Sequence, residues 1–81
     1  MTEETRREIR VLCANIKYLR EKNNLSVKEM AKELHIGAKS LIQIENGDFP
    51  LRISCGILFR IQHRFGIHPR DLLKEEIASA E

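Results

Sequence analysis

Two eight-residue stretches of helical apolar spacing, separated by only three residues, constrain this chain more than any other feature of its sequence. The first, Val27 to Leu34, carries Met30, Ala31 and Leu34 on one face, and the second, Ala38 to Glu45, carries Leu41 and Ile44 on one face. Ser26-Val27-Lys28-Glu29 has the form of a capping box, in which Ser26 accepts from the Glu29 backbone N–H and the Glu29 side chain reaches back to the Ser26 N–H. His35-Ile36-Gly37 then has room only for a tight turn, with Ile36 an apolar plug and Gly37 a helix N-cap. Asn46-Gly47 ends the second stretch, Gly47 being the natural left-handed residue after a helix. Helices joined this closely must cross, each burying one face, so Lys39, Gln43 and Asn46 project from the far side of the second.

Around this pair the chain reads as further helices. Ile9, Leu12, Ile16 and Leu19, with Cys13 beside them, form the apolar stripe of a long first helix from about Glu4 to Lys22, stopped by Asn23-Asn24. After a loop from Asp48 to Arg52, Ser54 starts a fourth helix that buries Ile57, Leu58, Ile61 and Phe65 and ends at Gly66. Ile67 plugs the next turn, and Pro69 opens a fifth helix with Leu72 and Leu73. No stretch alternates with strand period. The expected fold is all-α, five helices in a single domain over residues 1–81, in which 1–10 extend the first helix and 75–81 form an acidic tail.

Composition narrows the function classes. At 81 residues, with 42% hydrophobic and 32% charged residues, the chain is globular rather than disordered but has a thin core. It has no membrane-length apolar run and no apolar N-terminal leader, so a cytoplasmic protein is expected. Cys13 and Cys55 both fall in apolar-patterned helices and read as reduced core thiols, and His35, His63 and His68 are scattered, so no metal site and no cofactor are expected. No nucleophile–base arrangement appears, and an enzyme is not expected. The formal charge is +2; residues 75–81 carry three acids and no base, so residues 1–74 hold 14 basic against 9 acidic side chains. That distribution favours a nucleic-acid partner only slightly, because a charge run usually just solvates a helix face.

The run I-x-x-L-R-E-K-N-N-L-S-V-K-E-M-A-K-E-L-H-I-G-A-K-S-L-I-Q-I-E-N-G from Ile16, together with F-G-I-H-P-x-D-L-L ending at Leu73, resembles the phage-repressor/Cro-like (Xre-type) helix-turn-helix family. The resemblance spans 16–73, about seven-tenths of the chain. It implies a lambda-repressor-like fold with a central helix-turn-helix and sequence-specific binding to double-stranded DNA as a transcriptional regulator. Ala31 matches a small residue at the helix crossing, and Leu25, Met30, Leu34, Ile36, Leu41 and Ile44 match the core. Arg20 and Glu45 match an ion pair that ties the first helix to the end of the third; the other reading is two unrelated solvated charges.

The resemblance places DNA contacts at Ser26, Val27 and Lys28, at Ala38, Lys39, Ser40, Ile42 and Gln43 of the recognition helix, at Asn46, and at Arg52 in the following loop. Three of these depart from the family pattern: Val27, Ala38 and Ile42 are apolar where polar side chains are usual, and His35 stands where the turn usually has Gly. On DNA, Ala38 and Ile42 can pack on thymine methyls while Lys39 reaches guanine or phosphate and Gln43 reads adenine; off DNA the apolar strip suits another protein, as in an antitoxin or antirepressor, and Lys39 and Gln43 merely solvate the helix. The small footprint of one such domain implies a homodimer on DNA, joined through Leu72 and Leu73 or through the extension of the first helix. With 81 residues, most of them in the expected helices, no ligand-sensing domain is expected.

Overall fold

The computed structural model describes residues 2–49 and 54–77, with the side chains of 54 and 55 excepted. These residues form α1 (Glu3–Lys22), α2 (Val27–Leu34), α3 (Ala38–Glu45), α4 (Ser54–Phe65) and α5 (Pro69–Lys74), with no strand among them. The all-α, five-helix architecture expected from apolar spacing is the one observed. Arg52 and Cys55 are named above as a phosphate contact and a core thiol; the first lies outside the described residues, and so does the side chain of the second.

One core holds the helices together. Leu12, Cys13, Ile16 and Leu19 of α1 meet Met30, Ala31 and Leu34 of α2, Leu41 and Ile44 of α3, Ile57 and Ile61 of α4, and Leu72 of α5. α1 packs on α3 and α5, α2 on α3 and α4, and α4 on α5. Leu72 is fully buried within the chain, which corrects its assignment to a dimer contact; Leu73 beside it is half-buried. The reason is that α5 packs along α1, where the buried Asn15 holds Leu72 O at 2.8 Å. Phe49 is buried as well.

The first three helices end alike, in the Schellman arrangement. After α1, Leu25 N–H donates to Arg20 O (3.0 Å) and Asn24 N–H to Glu21 O (3.1 Å). After α2, Ile36 N–H donates to Ala31 O (3.0 Å) and His35 N–H to Lys32 O (3.2 Å); after α3, Asp48 N–H donates to Gln43 O and Gly47 N–H to Ile44 O, both 2.9 Å. The motif needs a left-handed residue at its pivot, filled by Asn24 (φ 55°), His35 (φ 57°) and Gly47 (φ 94°). Leu25 and Ile36, the residues after the first two pivots, fold onto the core.

The buried thiol of Cys13 has a consequence for alkaline stability. Burial, and secondarily the negative charge of Asp48, push it up from 9.0 to about 11. Between those values the native state keeps a proton that the unfolded chain has lost, so stability falls as pH rises through that window. The loss is about 2–3 kcal/mol. Urea midpoints measured from pH 8 to 11 are expected to fall more steeply for the wild type than for Cys13→Ala, and parallel curves would show that the thiol is not the cause.

Candidate nucleic-acid interface

The helix pair is held from both ends by local chemistry. At the start of α2, Ser26 takes an extended conformation (φ −72°, ψ 166°) and its hydroxyl accepts from Glu29 N–H at 3.1 Å, while Ser26 N–H donates to Glu29 Oε1 at 2.8 Å. The Ser26 backbone N–H, and then its hydroxyl, hold the Glu29 carboxyl below its ordinary value. At the turn, His35 adopts the left-handed conformation (φ 57°, ψ 42°), and α3 then starts from Gly37. Gly37 supplies no side-chain cap, and the first turn of α3 contains no acid, so the backbone N–H groups there remain open to water or to an anion such as phosphate.

Leu41 and Ile44 are fully buried and fix the rotation of α3 about its own axis. That rotation brings Lys39, Ile42, Gln43 and Asn46 to the exposed side, with Ala38 and Ser40 half-buried at its edges. On α2, Ser26 and Lys28 are exposed, but Val27 is half-buried and packs against the core. The apolar strip of Val27, Ala38 and Ile42 is therefore not continuous: its exposed part is Ile42, at 50%. Lys39 is the only charge on the open side of α3, since its other ionised group, Glu45, is turned inward.

Glu45 meets Arg20 of α1 in a two-point contact, Arg20 Nε to Oε2 at 2.7 Å and Nη2 to Oε1 at 3.1 Å, and Arg20 Nη1 also donates to Leu25 O at 3.1 Å. The hydrogen bonding of its guanidinium to the Glu45 carboxylate is the main reason Arg20 holds its proton more tightly than an ordinary arginine. The pair joins the C-terminal end of α3 to α1 and to the turn before α2. The arrangement presents a short helix with donors and one hydrocarbon group outward, the form in which a helix reads base edges in a major groove.

A family model described as a helix-turn-helix domain matches residues 14–76, well over half of the chain. The chain belongs to the helix-turn-helix domain family. No curated protein and no solved structure matches it. Within this helix-turn-helix protein the matched span holds α2 and α3 whole, and it begins near the middle of α1. The earlier turns of α1 precede it, and no described helix is long and apolar enough to cross a membrane.

Three features escaped the sequence. Asn15, on α1, is buried to 1% exposure and spends its amide on the C-terminal segment: Nδ2 donates to Leu72 O (2.8 Å) and Glu75 O (3.1 Å), and Oδ1 accepts from Ile77 N–H (2.8 Å). Its signal was its position, three residues after Leu12 and four before Leu19, where an amide sits on the apolar stripe. Phe59 on α4 is 70% exposed. Glu33 of α2 pairs with Arg64 of α4 at 3.4 Å.

Proposed function

We propose that this protein is a sequence-specific, double-stranded DNA-binding transcriptional regulator of the phage-repressor/Cro type. The observation that supports this reading best is the exposed face of α3. Lys39, Ile42, Gln43 and Asn46 share it, and the burial of Leu41 and Ile44 sets their direction. In this reading α3 enters the major groove, Ser26, Lys28 and the open N-terminus of α3 lie toward phosphates, and Arg52 adds a phosphate contact from the loop. Phosphate contacts would set register and α3 would read bases. One domain of this kind covers about 600–1,000 Å2, so two copies on a palindromic site are part of the proposal. With Leu72 committed to the core, the extension of α1 and the half-buried Leu73 are the remaining candidates of those read from the sequence for the dimer contact.

Selection of bound duplexes from a random library tests the proposal, and an enriched palindromic motif is the expected result. On the best duplex Gln43→Ala is expected to weaken binding by about 1–3 kcal/mol and to relax preference at one base pair. Failure to enrich any duplex at low salt would reject the reading. A second reading, a helix-turn-helix module that binds protein, as an antitoxin or antirepressor does, is favoured by the exposure of Phe59 (70%) and Ile42 (50%). Under that reading Gln43→Ala would leave DNA titrations unchanged.

A further inference from the structure

Ile42 stands in the middle of the exposed face of α3 with half its surface open. Among the described residues, Phe59 on α4 is the other large apolar side chain so exposed. On the helix surface Ile42 lies one turn from Ala38 and one turn from Asn46, and Lys39 and Gln43 flank it. The site is thus a branched hydrocarbon group ringed by an ammonium and two amides, with the nearby carboxylate of Glu45 taken up by Arg20.

That chemistry discriminates between possible contacts. A phosphate would place a cation or N–H group at the centre of the face, where Ile42 is. A protein partner is better met by a continuous apolar patch, and Val27, half-buried and packed on the core, interrupts the one that the sequence outlines. In the major groove the apolar mark is the methyl group at C5 of a pyrimidine, with acceptors and donors on the same and neighbouring bases within reach of polar side chains. We propose that Ile42 is a specificity-determining residue that reads a pyrimidine C5-methyl group, carried by thymine or by 5-methylcytosine. The inference rests on the DNA-binding reading above and adds the chemical group recognised. Ile42 has neither donor nor acceptor, so it senses the methyl and leaves the distinction between O4 and N4 to its polar neighbours.

The test uses the full chain and the best duplex from the random library, with affinities from fluorescence anisotropy. Each thymine is replaced singly by deoxyuridine, which removes the methyl and leaves every hydrogen-bonding group. Each cytosine is replaced singly by 5-methylcytosine, which adds one. The expected result is at least one position where the methyl strengthens wild-type binding about fourfold, the value of one buried methyl-sized group. For Ile42→Ala the methylated and unmethylated duplexes are expected to bind alike there; because Ile42 is exposed, this variant keeps its urea midpoint. A response at thymine, at cytosine or at both supports the inference and identifies the source of the methyl. Duplexes that are enriched yet show no methyl response, or one that Ile42→Ala retains in full, would overturn the inference and leave DNA binding standing. Failure to enrich any duplex would instead remove the DNA reading, and the inference with it.

Discussion

Replacing Glu45 by alanine is expected to lower stability by about 3–5 kcal/mol, measured as a shift in urea midpoint at constant slope. The side chains of Arg20 and Glu45 are only 17% and 10% exposed, so both charges have given up most of their water for each other. Without Glu45, the guanidinium keeps a single carbonyl, Leu25 O at 3.1 Å. It cannot escape by losing its proton, because an arginine stays charged. Glu33→Ala is the contrasting variant: its pair with Arg64 spans 3.4 Å with both side chains about two-fifths exposed, and such a pair contributes about 0–1 kcal/mol. The double variant Arg20→Met/Glu45→Leu is expected to recover much of the loss, since the penalty lies in the orphaned charge. Equal midpoints for Glu45→Ala and Glu33→Ala would refute this account. The consequence for function is direct, because Glu45 is the last residue of α3 and its pair holds that end of the helix against α1.

What could be read from the sequence was what neighbouring residues decide. α2 and α3 carry their own apolar spacing, their own capping box and a three-residue turn between them. The rotation of α3 followed from Leu41 and Ile44, and with it the exposed face of Lys39, Gln43 and Asn46. What could not be read depends on which distant segment arrives alongside. Val27 opens α2 at a position where the resemblance implies a DNA contact, yet it packs on a core that four other helices build. Glu33 has a partner because α4 lies across α2, and no local pattern reveals that crossing. Leu72 reads as an apolar residue free to join a dimer contact, and its burial depends on α1 lying beside α5.

The same long-range packing makes Asn15 the other position of large expected effect. Asn15→Ala is expected to cost about 3–4 kcal/mol, from a cavity and from backbone groups left without partners. Leu72 O is among the carbonyls at the end of α5 that no helical N–H can reach, and Asn15 Nδ2 fills that need at 2.8 Å from a different helix. The same amide nitrogen binds Glu75 O at 3.1 Å, and Oδ1 takes the Ile77 N–H at 2.8 Å. Residues 75–77, which the sequence marks only as the start of an acidic tail, are thereby tied to α1, with Ile77 packed on the core. Asn15→Leu separates packing from hydrogen bonding, since it fills the volume and offers no polar atom. It is expected to be about as destabilised as Asn15→Ala, and to lose protection of the Ile77 amide against hydrogen exchange. Asn15→Asp keeps an acceptor for Ile77 N–H but turns an anion toward two carbonyls, so it should retain part of that protection while still losing stability. A wild-type midpoint for Asn15→Leu would mean that the amide serves only as filler. The stripe of α1 that Asn15 interrupts also carries Ile16 and Leu19 into the core beneath α2 and α3, so a loosened α5 should reach α3 through α1.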